Sequence, residues 1–150
     1  MDADLTSLTL SIAAQHGAMG ESTQDPIVPE TLGKHLAAEI RATDVEAIVV
    51  WDSLNDVVLG HVVARELDAR LVTAFADEGI LGFDPMTPDG LRVALLAYSW
   101  STYPGLDALL NALEHSGATV TAVCALRTED IPEVELPEGA QIVTLARTAE

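Results

Sequence analysis

Short runs of β-branched and other apolar residues alternate along the chain with stretches of helical periodicity. The segment EAIVVW at 46–51 is too short for a helix and is rich in Val and Ile, which predicts a buried strand. The segment that follows, 54–67, repeats its apolar residues at helical spacing. This alternation is typical of a parallel sheet with helices on both faces. We therefore predict an α/β fold, a three-layer sandwich with a mainly parallel sheet.

The same alternation continues to the end of the chain. It predicts further strands at 70–76, 91–97, 118–126 and 141–146, and further helices at 6–16, 29–43 and 105–116. Glycines and prolines punctuate a long loop before the third strand, at Gly79, Gly82, Pro85, Pro88 and Gly90. Right-handed crossovers predict that strands 46–51 and 91–97 lie side by side and parallel. The ends of these strands, at Trp51 and Tyr98, then face one crevice.

The size and charge of the chain limit its organisation and its partners. Its 150 residues are the length of a single domain, 1–150. With 24 acidic residues against seven Lys and Arg, the net charge is −17, which repels polyanions. We therefore expect neither nucleic acid nor an anionic membrane as a partner. The acidic surface either maintains solubility or attracts a basic protein.

The compartment follows from cysteine usage and from the start of the chain. The single cysteine, Cys124, lies in an apolar run, which excludes an intramolecular disulfide and favours a reducing compartment. The first residues, MDADLTSLTLSIAA, are acidic where a signal peptide is basic. No apolar stretch reaches the roughly 18 residues of a membrane span. We expect a cytoplasmic protein.

The usual signatures of metal and cofactor sites are missing from the sequence. The four histidines are isolated from one another, without the short spacing of metal ligands, at His16, His35, His61 and His115. There is no nucleophile elbow, Walker loop or dinucleotide fingerprint. We therefore predict no metal site, no cofactor and no catalytic residues of these types.

The stretch 91–127 carries the most specific pattern. A glycine turn leads to Arg-Val and an apolar strand, then a turn with Ser-Thr, a helix ending EHSGA and a strand ending Ala-Leu-Arg. This pattern resembles the type I phosphoribosyltransferases, most closely the orotate enzyme and its relatives. Upstream, EAIVVWDSLNDVVLGHVVARELDARLV is similar to that family's first strand, pyrophosphate loop and second helix. The resemblance covers about residues 29–127 and implies the family's fold.

The family's signature is four apolar residues, two adjacent acids, two apolar residues, two hydroxyl residues and a glycine. Here the four apolar residues are Val93–Leu96. The two acid positions hold Ala97 and Tyr98, and the next two positions hold Ser99 and Trp100. Ser101-Thr102-Tyr103 replaces the hydroxyl pair and the glycine. In the family the two acids hold the ribose hydroxyls of phosphoribosyl pyrophosphate and, largely through water, its magnesium. Neither alanine nor a tyrosine hydroxyl replaces a carboxylate in that role. The comparison therefore implies a degenerate motif.

Two other parts of the implied site also depart from the family. Enzymes of the orotate type carry an Arg-Lys pair at the end of the second strand and a basic loop after it. Here that region reads Thr73–Ala76 and then contains the acids Asp77, Glu78, Asp84 and Asp89. A pyrophosphate leaving group would meet carboxylates there. The pyrophosphate loop, Trp51-Asp52-Ser53-Leu54-Asn55, has no glycine to let the backbone wrap a phosphate.

A reduced ligand site is still predicted at the turn after the third strand. Ser101 and Thr102 precede the helix that Pro104 and Gly105 begin, so they either cradle a monophosphate or cap the helix. The candidate ligand-binding residues are Tyr98, Ser99, Ser101, Thr102, Tyr103 and Gly105, with Trp51, Asp52, Ser53 and Asn55 in the altered pyrophosphate loop. The acids Asp52 and Asp56 are interpreted as partners of the helix dipole.

Aromatic residues collect at one edge of the predicted sheet. Those at or just past the carboxyl ends of strands are Trp51, Phe75, Tyr98, Trp100 and Tyr103, and Phe83 lies in the loop above them. Three interpretations remain open: the rings fill a vacated pocket, form an interface patch, or stack on a flat ligand.

We predict a non-catalytic binding or regulatory module of the phosphoribosyltransferase fold, linked to nucleotide metabolism. Its ligand would be a small phosphorylated or flat aromatic molecule. The alternatives are an active orotate- or purine-type phosphoribosyltransferase with an atypical site, and an acidic protein-interaction module. The family's habit of pairing and an apolar fraction of 49% predict a homodimer or pairing with a related protein.

Overall fold

The computed structural model describes residues 26–100 and 105–146. The helices are α1 (Ile27–Ile40), α2 (Leu54–Leu67) and α3 (Leu106–His115). The strands are β1 (Ala47–Trp51), β2 (Arg70–Asp77), β3 (Ile80–Asp84), β4 (Arg92–Leu96), β5 (Thr119–Arg127) and β6 (Gln141–Ala146). Short 3-10 turns follow α1 at Arg41–Thr43 and β5 at Thr128–Asp130. The helix predicted at 6–16 lies outside the described residues.

The strands form one six-stranded sheet in the order β3-β2-β1-β4-β5-β6. Only the β2–β3 pair in this sheet is antiparallel. In the β1–β4 pair, Ala47 lies opposite Val93 and Val49 opposite Leu95. This pairing confirms that the two strands are parallel neighbours, so Trp51 and the residues after β4 lie at the same edge of the sheet.

Helices cover both faces of this sheet. Ile48 and Val50 of β1 belong to the apolar cluster that contains α1 and α2 residues, whereas Ala47 and Val49 belong to the cluster that contains α3 residues. All of β1 is buried, as expected for the centre of a parallel sheet with two covered faces. The predicted three-layer α/β sandwich is therefore confirmed. None of the helices within the described ranges is long and apolar enough to cross a bilayer.

The prediction of a long loop before the third predicted strand is wrong in part, because residues Ile80–Asp84 form β3 and pair antiparallel with β2. The connecting residues Glu78 and Gly79 both have positive φ, 52° and 80°, as a two-residue type I′ hairpin turn requires. The ring of Phe75 covers Gly82, where an added Cβ would lie 2.8 Å from the ring. A tertiary contact of this kind compensates for glycine in a strand.

Two helical glycines permit close packing of the layers. A Cβ added to Gly60 of α2 would lie 2.7 Å from Cγ1 of Val50 on β1. A Cβ added to Gly33 of α1 would lie 2.5 Å from Cγ1 of Val62 on α2. Both distances are too short for unstrained carbon atoms, so the absence of a side chain sets how closely α2 approaches its neighbours.

We expect Gly60→Ala to lower the free energy of unfolding by about 1–3 kcal/mol, because overpacking against Val50 outweighs the better helix propensity of alanine. Urea denaturation followed by circular dichroism measures this change. The matched control is His61→Ala at the adjacent exposed position of α2, where we expect a change of less than about 0.5 kcal/mol. A more stable Gly60→Ala protein would contradict the close approach.

Candidate functional site

The carboxyl ends of β1 and β4 lead into two neighbouring loops. The first contains Asp52 and Ser53 and enters α2, and the second is formed by residues 97–100. In open α/β sheets, ligands bind beyond the carboxyl ends of adjacent parallel strands. These two loops therefore form the candidate site, which we call the crevice.

Asp56, in the first turn of α2, joins the two loops. Its Oδ1 accepts a hydrogen bond from the backbone N–H of Tyr98 at 2.9 Å, and its Oδ2 accepts one from the hydroxyl of Ser53 at 2.8 Å. The residue is only 1% exposed. Burial raises the pKa of this carboxyl above its ordinary value, and the two hydrogen bonds oppose the rise.

The role of Asp56 goes beyond the helix-dipole partner that its position indicates. Ser53 and Asp56 have the spacing of a capping box, in which the side chains of the N-cap and N3 residues satisfy free backbone amides. Here the Ser53 hydroxyl donates to the Asp56 carboxylate instead, and the carboxylate also receives the Tyr98 amide. The Ser-x-x-Asp spacing is the sequence signal that points to Asp56 as part of the site.

The loop at 97–100 is also bonded to the end of β5. The amide of Ala97 donates to the carbonyl of Cys124 at 3.2 Å, and the amide of Trp100 donates to the carbonyl of Asp130 at 2.8 Å. The indole Nε1 of Trp100 donates to the Cys124 carbonyl at 3.0 Å. Backbone and side-chain bonds thus hold this loop between α2 and the chain that follows β5.

Asp130 is buried and paired with Arg127. The guanidinium donates from Nε to Oδ2 at 3.1 Å and from Nη2 to Oδ1 at 3.0 Å. Hydrogen bonding to Asp130 raises the pKa of Arg127. The ion pair stabilises the turn whose last carbonyl receives the Trp100 amide. Its only sequence signal is the Arg-x-x-Asp spacing.

Three of the aromatic rings at this edge lie inside the protein. Trp51, Tyr98 and Trp100 are 9%, 6% and 1% exposed. Tyr98 belongs to the core on the α1 and α2 side of the sheet, and the two tryptophans belong to the core on the α3 side. Burial, and to a lesser degree the charge of Asp56, raises the pKa of the Tyr98 hydroxyl. The burial of these three rings favours the filling interpretation over a stacking site.

The remaining aromatic residues have different surroundings. Phe75 is 36% exposed and lies on Gly82 across the hairpin. Phe83 is half-buried and packs against the core on the α3 side. Tyr103 lies outside the described residues.

The other predicted site residues divide between the interior and the surface. Ser99 and Asn55 are buried, Ser53 is half-buried, and Asp52 is exposed. Ser101 and Thr102 lie outside the described residues.

Gly105 has the capping role at the start of α3 that the sequence pattern assigns to Ser101 and Thr102. It is the N-cap residue of α3, with φ of 110°, so the helix begins at Leu106 and the N-cap is neither Ser101 nor Thr102. A Cβ added to Gly105 would lie 3.8 Å from Cζ2 of Trp51, which shows that the start of α3 closes against the end of β1. Glycine suits this position because it adopts positive φ without strain.

Within 26–100 and 105–146, no three His, Cys, Asp or Glu side chains cluster in a way that could hold a metal ion. The buried thiol of Cys124 has its pKa raised to about 12 by desolvation, so it is a packing residue and not a reactive thiolate.

No protein-family profile and no curated protein sequence matches the chain. Solved structures do resemble it. Adenine phosphoribosyltransferase from Trypanosoma brucei, in complex with AMP, pyrophosphate and ribose-5-phosphate, matches with a TM-score of 0.66 and 18% identity, over 85% of this chain and 68% of that one. Adenine phosphoribosyltransferase from Thermoanaerobacter pseudethanolicus matches with a TM-score of 0.63 and 15% identity, over 84% and 83%.

A third similar structure is a hypothetical protein from Neisseria gonorrhoeae with bound ppGpp, with a TM-score of 0.56 and 16% identity, over 81% of this chain and 79% of that one. Identities this low establish a common fold and nothing finer. A particular relationship to the orotate enzyme stays a prediction. The sheet order, the helical layers and the similarity to these structures together show that the chain has a phosphoribosyltransferase-like fold.

Proposed function

We propose that this chain is a non-catalytic phosphoribosyltransferase-fold protein that serves as a binding or regulatory module in nucleotide metabolism. The observation that carries the proposal is the burial of Ala97 and Tyr98, which stand at the two acid positions of the family's motif. They are 0% and 6% exposed, and their amides bond to Cys124 and Asp56. Neither side chain offers a carboxylate to ribose hydroxyls.

The buried carboxylate of Asp56 does not replace the missing pair. Asp56 directs one oxygen to the Tyr98 amide and the other to the Ser53 hydroxyl, in a buried position. Magnesium favours oxygen ligands, often carboxylates, that leave room for several waters. With both oxygens engaged in this way, Asp56 does not fit as a ligand in a magnesium complex of phosphoribosyl pyrophosphate.

The charges around the crevice also oppose a pyrophosphate group. The β2–β3 hairpin carries the exposed carboxylates of Asp77, Glu78 and Asp84. Arg127, at the end of β5, is already paired with Glu129 at 3.4 Å and with Asp130 at 3.0 Å. Catalysis of phosphoribosyl transfer requires cationic groups that neutralise the leaving pyrophosphate.

The ligand in this proposal is a small phosphorylated molecule, of which nucleoside phosphates are the first class to test. Two structures of the same fold contain AMP and ppGpp, respectively. Ser101 and Thr102, just before α3, are the side chains that we assign to the phosphate, together with amides at the helix start. A flat aromatic ligand is the alternative, and the homodimer stays a prediction.

We expect calorimetry with phosphoribosyl pyrophosphate and millimolar magnesium to show no binding tighter than about millimolar. Two absent charge-assisted hydrogen bonds, at about 1.5–3 kcal/mol each, correspond to a hundredfold to ten-thousandfold loss of affinity. The variant A97D/Y98D should not restore activity, because the hairpin stays acidic and position 98 faces Asp56.

The same titration with AMP and with ppGpp should give saturable binding without product formation. Ser101→Ala and Thr102→Ala should weaken that binding. Turnover of orotate or of a purine base by the unmodified protein would overturn the non-catalytic assignment and favour the active-enzyme alternative. Binding of neither nucleotide would remove the phosphorylated ligand from the proposal.

A further inference from the structure

A groove along α3 is separate from the loops that form the crevice. It has a volume of about 620 Å³ and is lined by α3, the amino end of β5 and residues 135–138. It runs beside α3 from Asp107 to Glu114, a distance of about 10 Å at 1.5 Å per helical residue. This length corresponds to about three residues of extended chain.

Apolar side chains form part of the floor of the groove, beside the polar residues Asn111 and Thr119. Leu110 of α3 and Val120 of β5 are 6% and 4% exposed, so only a small part of each side chain reaches the groove. Leu136 is half-buried and packs against the core on the α3 side, and Pro137 continues the same wall. Such a floor favours an apolar group over a fully solvated ion.

The rim of the groove is acidic. Its exposed carboxylates belong to Asp107, Glu114, Glu135 and Glu138. No Lys or Arg is among the residues that line it, all of which lie within 105–146. Arg127 is the sole Lys or Arg in that range of the sequence, and it is paired with Glu129 and Asp130. The carboxylates of the rim therefore lack a cationic neighbour in the lining.

Glu135 and Leu136, which line the groove, belong to a segment in which acidic and apolar residues alternate, 133–136. Glu133 and Glu135 are exposed, whereas Val134 and Leu136 pack against the core. In extended chain, alternate residues lie about 7 Å apart on the same side. A basic segment whose cationic residues also alternate with apolar ones has the matching spacing.

We propose that this groove docks a short basic segment of a partner protein, in which apolar residues alternate with cationic ones. The apolar side chains cover Leu110 and Leu136, and the cationic side chains pair with the rim. A second copy of this chain, with a net charge of −17, is repelled. Its own segments 1–25 and 147–150 contain five acidic residues and one arginine, so they do not supply such a sequence.

The test is fluorescence anisotropy with a labelled peptide, Lys-Leu-Arg-Leu-Lys, at physiological ionic strength. We expect saturable binding with a Kd on the order of tens to hundreds of micromolar. The peptide Lys-Ser-Arg-Ser-Lys, which has the same charge and no apolar side chains, should bind at least about tenfold more weakly. The groove is separate from the crevice, so this result does not depend on the proposed function.

Charge variants locate the peptide on the protein. E135Q/E138Q should weaken binding of the leucine peptide by about fivefold or more, because both carboxylates belong to the rim. The matched control, E39Q/D77N, removes two charges at exposed positions outside the groove lining and should leave the Kd unchanged within about twofold. Circular dichroism establishes that both variants are folded.

Several results would overturn the proposal. Equal binding of the leucine and serine peptides, or an equal loss in both charge variants, would assign the interaction to the general negative field of the protein. Displacement of the leucine peptide by an equal concentration of spermidine would assign the groove to small polyamines. The absence of saturable binding by the leucine peptide would leave the groove without this role.

Discussion

Trp100→Ala should lower the free energy of unfolding by about 3–5 kcal/mol, because the substitution removes a buried aromatic side chain and leaves a cavity. Trp100 is 1% exposed and belongs to the core that also contains Trp51 and Leu106. The same substitution removes the indole donor to the Cys124 carbonyl. Urea denaturation followed by far-ultraviolet circular dichroism measures the loss without relying on tryptophan fluorescence.

Trp100→Phe separates packing from hydrogen bonding. Phenylalanine retains much of the apolar volume and loses the indole donor, so we expect a smaller decrease of about 1–2 kcal/mol. A Trp100→Ala protein as stable as the unmodified chain would show that this ring does not close the loop after β4.

Asp56→Ala should lower the free energy of unfolding by about 2–3 kcal/mol, because it leaves the buried Tyr98 N–H without its acceptor. Asp56→Asn is the matched control. Its amide oxygen can accept the Tyr98 N–H, and its amide nitrogen can donate to the Ser53 hydroxyl. Because the asparagine carries no buried charge, we expect stability at pH 7 equal to or above that of the unmodified protein. Equal destabilisation by both substitutions would contradict the assigned geometry.

The stability difference between the unmodified protein and Asp56→Asn should depend on pH. Burial raises the folded-state pKa of Asp56 above its ordinary value of 3.8, so the folded state binds the proton first as the pH falls. The contribution of Asp56 to stability therefore increases as the pH falls through the raised folded pKa towards 3.8. Any advantage of Asp56→Asn should shrink over that range, and a constant difference would contradict the raised pKa.

The central helices and strands were predictable because each has a characteristic spacing of apolar residues in the sequence. The helix at 54–67 and the strand at 141–146 agree with the structure at both ends, and the apolar run 46–51 contains β1. The hairpin strand β3 was not predictable in the same way. Its glycines indicate a loop, and the contact that makes Gly82 acceptable in a strand comes from Phe75 on the partner strand.

The neighbouring ends of β1 and β4 were predictable from the sequence, and the contacts between the loops that follow them were not. Trp51 ends β1 and Tyr98 lies just after the neighbouring strand β4, as the crossover rule requires. The bond between Asp56 and Tyr98 joins residues 42 positions apart, and no periodicity indicates which buried carboxylate faces which amide. Arg127 and Asp130 are only three positions apart in the sequence. The role of their ion pair, however, depends on a distant residue, because the Asp130 carbonyl accepts the Trp100 amide from another loop.

Because the Tyr98 amide donates to Asp56, the protein's own carboxylate competes with any external anion for that amide at the crevice. The carboxylate is an anion tethered to the same chain, so its effective concentration at the Tyr98 amide exceeds that of a dissolved anion. A phosphate could bind this amide only by displacing the Asp56 carboxylate, which is attached to the same chain and cannot diffuse away. A redesign of the loop for anion binding therefore has to begin by removing the carboxylate of Asp56, before any residue of the loop itself is changed.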